Sequence, residues 1–153
     1  MRGSMLTAFG MGVVVLAVGT LIAADAEDAK KDLEKMQGTW LLVAGERDGK
    51  EFTEEEVKKA KLIIKGDTFR IPKSDVGTSQ EGTFKIDPSK KPKEIDSTTG
   101  SGPDKGKTWQ GIYELDGDTH KVCFAPPGTD RPKEFSAKAG SGHILQVWKR
   151  EKK

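Results

Sequence analysis

The sequence predicts a mainly β domain, an antiparallel barrel or sandwich, and three observations carry that prediction. After residue 38, apolar side chains recur mostly at every second position, which is the period of a strand with one buried face. Such segments follow one another at regular spacing, separated by turns rich in Gly, Asp and Pro. No helical pattern separates the strands beyond residue 61, so a parallel sheet is not indicated.

The pattern gives about eight strands and two helices. The first helix is a short one at 27–36. The second spans 53–61, where Thr53 can cap the helix and Glu56 has the spacing of its capping-box partner. A short extended segment at 133–137 precedes the last strand. The other strands are expected at 38–50, 61–65, 68–72, 81–87, 93–98, 107–115, 119–125 and 143–150.

Three glycines are each followed, two residues on, by an aromatic residue: Gly38, Gly82 and Gly111. This arrangement is typical of strongly bent strands, in which the glycine lets the backbone curve and a neighbouring ring covers the gap. We interpret it as barrel curvature and not as an internal duplication.

The first 26 residues differ from the rest of the chain. An uncharged apolar run extends from Met5 to Ile22, and small residues follow it up to Ala26, as signal peptidase requires. The sequence therefore predicts a signal peptide over 1–26, a mature domain over 27–153 and a periplasmic or extracellular location. The alternative is an uncleaved anchor, because roughly 18–20 apolar residues can span a bilayer. Contact with the membrane would then be made through this segment alone.

The composition limits the possible functions. The chain has 153 residues, which suits one domain, and its 26 basic and 24 acidic residues are interleaved, so no nucleic-acid partner is expected. A single cysteine leaves no internal disulfide. The two histidines and the cysteine lie far apart in the sequence without metal-ligand spacing, so neither a metal nor another cofactor is predicted.

One loop superficially matches a phosphate-binding motif. The stretch GSGPDKGKTW at 100–109 contains Gly-Lys-Thr, but position 101 is Ser where the motif needs its first glycine. It also leads into a predicted strand, whereas a phosphate loop precedes a helix. We therefore expect a polar hairpin loop without nucleotide hydrolysis.

The first strand begins with QGTW, a Gly-x-Trp motif that follows a short helix. This motif resembles the signature of the lipocalin and wider calycin barrels, in which the Trp plugs one end and a basic residue of the last strand lies across its ring. The resemblance implies Gly38, Trp40 and Arg150 as the structural signature, with Lys149 as the alternative basic residue. It implies a single antiparallel eight-stranded lipocalin-like β-barrel, with a short N-terminal helix and one helix between the first two strands.

Longer motifs resemble a second family. The stretches LEKMQGTWLLVAGERDGK, GTFKIDPSKKPKEID, GIYELDGDTHKVCFAPPGTDRPKEF and GSGHILQVWKRE occur in this order along the chain. They look like an uncharacterised domain family of small exported proteins from planctomycete bacteria, and the likeness covers nearly all of the mature chain. The resemblance implies a fold and export, and it carries over no catalytic residue. That family favours an aliphatic residue at the position of His120.

Four side chains are candidate contacts for a small apolar molecule inside the barrel: Trp109, Tyr113, His120 and Phe124. The first two share one face of their strand, and the last two share one face of the next, so both pairs can point inward. Alternatively, the aromatic rings fill the core and His120 is a rim histidine with a water or carbonyl partner. Cys123 is expected to be a small hydrophobe, because no base is paired with it.

Two functions fit these observations. The first is an exported module that holds a small, mostly apolar molecule in its barrel. The second is a structural or protein-interaction module of the cell envelope, with a packed core and with partners on the loop-rich segments 72–80 and 97–107. No set of nucleophile, base and orienting group is evident in the sequence, so no enzyme is expected. An empty interior would favour the first function and a filled one the second.

Overall fold

The strands and helices follow the predicted order. The structure is a computed structural model that describes residues 16–73 and 79–152, with side chains from residue 26 onward. Its helices are α1 (Leu16–Met36) and α2 (Glu54–Lys59). Its strands are β1 (Gly38–Arg47), β2 (Lys50–Glu51), β3 (Lys61–Lys65), β4 (Thr68–Ile71), β5 (Gln80–Asp87), β6 (Lys93–Thr99), β7 (Thr108–Asp116), β8 (Thr119–Ala125) and β9 (Ile144–Arg150).

The sheet closes on itself. From β3 to β9 each strand pairs antiparallel with the next, and β1 pairs with β3 on one side and with β9 on the other. The strands β1 and β3–β9 therefore form an eight-stranded antiparallel barrel, so the predicted fold class is confirmed. The short β2 is an extra strand that pairs with the end of β1 as a hairpin. Helix α2 lies between the first two barrel strands, as predicted, and Thr53 and Glu56 form the expected capping box.

The prediction of an extended segment at 133–137 was wrong. These residues are irregular chain within the long connection 126–143 between β8 and β9. The connection packs across the outer face of the barrel, where Cys123 and Ala137 are fully buried and the Cys123 thiol donates to the carbonyl of Ser136 at 3.4 Å. Ala137 is thus buried against the sheet and Phe135 is half-buried, and the segment does not add another strand.

Arg131 fastens this connection to the barrel wall. Its Nη1–H donates to the carbonyl of Gly111 at 2.8 Å, and its guanidinium forms ion pairs with Asp96 at 2.8 Å and with Glu94 at 3.2 Å. A guanidinium offers five donors in a fixed fork, so one side chain can hold three groups on β6 and β7 together.

Helix α1 is longer than the sequence predicted. It begins at Leu16 rather than at residue 27 and runs through the predicted cleavage point after Ala26, over a stretch rich in the good helix formers Ala and Leu. Residues 1–15 of the predicted signal peptide lie outside the described residues, and the domain boundary stays a prediction. Within the part of the chain that the structure covers, no helix has both the length and the apolar character needed to cross a membrane.

One end of the barrel is closed by the last turn of α1 together with Gln37, Trp40 and Arg150, a group that we call the floor. Trp40 is fully buried, and its Nε1–H donates to the carbonyl of Met36 at 2.8 Å. The Arg150 guanidinium lies 4.3 Å from the centroid of the Trp40 ring and donates to the carbonyls of Gln37 and Lys35. The last carbonyls of a helix lack intrahelical partners and carry its partial negative charge, so a cation is favourable there.

The floor explains why the motif begins with glycine. Gly38 has a φ of +116°, a backbone conformation that residues with a side chain rarely adopt. A Cβ at this position would also lie 3.2 Å from Nη1 of Arg150. Glycine at this position therefore allows the sharp turn from α1 into β1. It also leaves space for the Arg150 guanidinium to stack on the indole.

We predict that Arg150→Ala lowers the free energy of unfolding by about 2–3 kcal/mol, because the carbonyls of Lys35 and Gln37 and one face of the indole lose their charged partner. Arg150→Lys should recover less than half of that loss, since an ammonium cannot stack on the ring and bond two carbonyls at once. Urea unfolding of the three proteins measures the effect. The exposed Arg70 provides the control, Arg70→Ala; equal stabilities for the two alanine variants would contradict the role of the floor.

Candidate ligand-binding cavity

A cavity of about 880 Å³ occupies the barrel above the floor. Its size is within the range of roughly 300–1,000 Å³ that is usual for small-molecule sites. Strand alternation points one side chain in two toward it, and the larger part of the wall is apolar, with Ser97, Thr99 and Gln146 among its polar positions. Among the residues that line it are Leu62, Ile64, Phe69, Phe84, Ile95 and Val122.

Two inward-facing positions of the barrel wall carry no side chain. Gly82 is paired with Phe69, and Gly111 is paired with Phe124, so both glycines face the interior. A Cβ on Gly82 would lie 2.0 Å from the carbonyl oxygen of Thr98, and one on Gly111 would lie 2.6 Å from that of Cys123. These close approaches show that the strands are strongly bent at the glycines, and the paired aromatic rings cover them.

The other end of the cavity, which we call the mouth, lies opposite the floor. Its lining residues include Pro72, Ser79, the loop residues 101–104 and Gly142, and α2 contributes Glu56. Charged residues that line the cavity, Arg47, Glu56 and Asp104, belong to this end. The loop-rich segments that the sequence singled out therefore lie at the mouth, although residues 74–78 of the first are outside the described residues.

Three of the four predicted ligand contacts line the cavity. Trp109 and Phe124 are half-buried in the mouth half of the barrel, and His120 is buried near the floor. Tyr113 is not among the lining residues, although it was expected with them. Its ring is buried in the core, and its hydroxyl donates to Oδ2 of Asp32 at 2.8 Å.

The Asp32 carboxylate joins α1 to the barrel. It is buried, and besides Tyr113 it receives Nζ of Lys93 at 2.8 Å. Burial and the bond to Asp32 raise the pKa of Tyr113 well above its ordinary range, so the phenol stays a protonated donor. The sequence analysis missed Asp32, although it lies four residues before the buried Met36 and therefore on the same helix face.

Two polar side chains lie deep in the cavity, and we call His120 and Trp148 the deep pair. They lie directly opposite each other on β8 and β9. His120 is 3% exposed and Trp148 is 1% exposed, and both line the cavity. Among the described residues, neither nitrogen of the His120 ring nor Nε1 of Trp148 has a hydrogen-bond partner. The sequence analysis missed Trp148, which alternation places two residues before Arg150 on the inward face.

His120 is neutral under ordinary conditions. Its ring packs edge-on against Trp40, with 5.5 Å between centroids, and against Tyr113, with 6.5 Å. Burial in these apolar surroundings lowers the pKa of His120 from its usual 6.5 to about 4. The imidazole therefore offers the cavity one N–H donor and one nitrogen acceptor.

The remaining candidates for chemistry lie elsewhere. Cys123 is buried on the outer side of the sheet, and burial raises the pKa of its thiol, which keeps it protonated. Within residues 16–73 and 79–152, no group of three or more His, Cys, Asp or Glu side chains converges so as to hold a metal ion.

Comparisons with known proteins add no relative to this description. No protein-family model matches the chain, and no curated protein matches it either.

We predict that His120 makes the stability of the fold depend on pH. Because its folded-state pKa of about 4 lies below the unfolded value of 6.5, the unfolded chain takes up a proton that the folded chain refuses. The stabilisation from the neutral ring is therefore complete above pH 6.5 and is lost as the pH falls toward 4, by about 3 kcal/mol.

Urea unfolding between pH 7.5 and 4 tests this prediction. In His120→Leu, the part of the loss in unfolding free energy at low pH that is due to His120 should disappear. His143→Leu changes the other histidine, which lies outside the cavity, and should keep that loss. A His120→Leu profile with the same slope as the unaltered protein would contradict the buried neutral imidazole.

Proposed function

We propose that this protein is an exported, non-enzymatic binding protein that holds one small, mostly apolar molecule inside its barrel. The observation that carries the proposal is the cavity of about 880 Å³ with a mainly apolar wall. Transfer of an apolar molecule from water into such a space is favourable by roughly 25 cal/mol per Å² of surface buried. A closed floor and a rim of polar groups suit a site that is entered from one end.

The alternative function, a structural or interaction module, requires side chains that fill the interior. The cavity favours ligand binding over that alternative. Small polar residues occupy inward positions where a packed barrel would carry large apolar side chains, for example Ser97, which lies opposite Phe84 and lines the cavity. The mouth connections can still contact a partner protein, but they do not account for the open interior.

A binding role also agrees with the chemistry inside the barrel. His120, the deepest ionisable residue that lines the cavity, packs edge-on against the aromatic rings of Trp40 and Tyr113. The thiol of Cys123 lies on the opposite side of the sheet. A nucleophile and its base must be within hydrogen-bond reach of each other, and these two side chains face away from each other across β8.

Export is inferred from the sequence. An uncharged apolar run and small residues precede Ala26, and the long motifs resemble those of small exported proteins. We infer from the same motifs that the chain belongs to that planctomycete family. The barrel does not depend on a disulfide, since its one cysteine is free.

Titration with the apolar fluorophore N-phenyl-1-naphthylamine tests the proposal. We expect saturable binding of one molecule per chain, with the blue-shifted emission of an apolar site. Ser97→Trp should weaken binding about tenfold or more, because Ser97 faces the cavity and the indole would occupy it. Excitation at a wavelength that tryptophan does not absorb keeps the added indole from interfering.

Thr98→Trp is the matched control for this experiment. Thr98 is the next residue on β6 and faces outward, where its hydroxyl lies 2.9 Å from that of Thr108. An indole there leaves the cavity unchanged, so binding should persist. Absent binding by the unaltered protein, or equal weakening by both substitutions, would contradict a ligand site inside the barrel.

A further inference from the structure

The deep pair indicates which kind of ligand fits. His120 and Trp148 occupy opposing positions on neighbouring strands, where side chains on one face lie about 5 Å apart. Three of their nitrogens are buried at the cavity wall without a hydrogen-bond partner among the described residues. Buried polar groups in native proteins are nearly always paired, because an unpaired one costs about 1–3 kcal/mol. A ligand group that pairs with these nitrogens is therefore favoured at this depth.

The hydrogen-bonding capacity of the pair selects a chemical group. The Trp148 indole can only donate, whereas neutral His120 both donates and accepts. A hydroxyl can accept from an N–H and donate to the free ring nitrogen at the same time. A carbonyl or an ether oxygen can only accept, so it pairs with both side chains only when the His120 nitrogen that faces it carries the proton, whereas a hydroxyl pairs with them in either tautomer.

Charge excludes a carboxylate at the same place. The charged lining residues Arg47, Glu56 and Asp104 are at the mouth. The lining residues next to the deep pair on β8 and β9 are Val122 and Gln146, and neither carries a charge. A buried anion without a paired cation is strongly unfavourable. The Arg150 guanidinium is already engaged, because it stacks on the Trp40 ring and bonds the carbonyls of Lys35 and Gln37.

On the basis of the proposed function, we propose that the ligand is an apolar alcohol that enters with its hydroxyl first, places that hydroxyl between His120 and Trp148, and leaves its hydrocarbon part along the wall toward the mouth. The wall above the pair is apolar over Ile95, Val122 and Phe124, which suits a hydrocarbon chain or ring. His120 and Trp148 are then specificity-determining residues, and the apolar wall provides most of the affinity.

Three probes of equal chain length test the proposal: 1-decanol, decyl methyl ether and decanoic acid. We expect calorimetry to show that 1-decanol binds about tenfold more tightly than the ether, because the ether cannot donate to His120. In NMR spectra of ¹⁵N-labelled protein, 1-decanol should shift the imidazole signals of His120 and the indole N–H signal of Trp148. The signals of His143, which does not line the cavity, should stay in place.

A pair of histidine variants separates recognition from folding. In His120→Leu the preference for 1-decanol over the ether should disappear, while the ether still binds with an affinity within about threefold of that of the unaltered protein. His143→Leu should keep the full preference. The bound ether shows that the His120→Leu variant is folded, so the loss of preference reports on the hydrogen bond.

Other results would overturn the inference in distinguishable ways. Equal affinities for the alcohol and the ether, with unmoved His120 signals, would mean that the pair bonds only water while the barrel still binds apolar molecules. Tightest binding of decanoic acid, with a protonated His120, would assign an anionic head group instead. Binding of N-phenyl-1-naphthylamine without any decyl probe would also overturn the inference, and failure of all four molecules would overturn the proposed function itself.

Discussion

The stacking of Arg150 on Trp40 at the end of helix α1 is the interaction on which the rest of the structure depends. The guanidinium comes from the last strand, the indole from the first, and the carbonyls that they bond belong to α1 and to Gln37. One contact thus joins the helix, the two strands that close the barrel and the turn between helix and sheet. Carbonyls at the end of the helix, which lack intrahelical partners, gain charged and indole donors. Glycine suits position 38 because its φ is +116° and because a Cβ there would crowd the guanidinium.

A tightly bonded floor permits a barrel that is open above it. The large buried side chains Trp40, Trp148, Tyr113 and Met36 concentrate apolar burial in the floor half, where Asp32 adds a second link from α1 to the wall. Toward the mouth, inward positions carry glycine, serine or half-buried rings, and the charged lining groups are found there. The floor half of the barrel thereby provides most of the stability, and the mouth half provides the space for binding. Because side chains pack closely at the floor, the mouth half does not need to be filled by side chains.

Much of this arrangement is readable from the sequence because it depends on local chemistry. Alternation fixed the eight barrel strands, and Gly38, Trp40 and a basic residue at the end of the last strand indicated how the barrel closes. Segment 133–137 was misassigned because its alternating apolar residues pack on the outer face of the barrel, while its backbone does not pair with any strand. Trp148 and Asp32 were missed, since their roles require knowing which residues oppose them across 28 and 81 positions of the chain. The cavity itself depends on the volume left between strands, which no single segment encodes.

Native-state hydrogen exchange measured by NMR tests the central claim that the floor is the most stable part of the fold. The account predicts that amides of 40–42 and 148–150, which flank Trp40 and Arg150, exchange only through global unfolding. Amides of 44–48 and 143–145, at the mouth end of the same two strands, should exchange faster through local opening. Arg150→Ala should reduce that difference. Equal exchange at both ends of the β1–β9 pair in the unaltered protein, or slower exchange at the mouth, would contradict the claim.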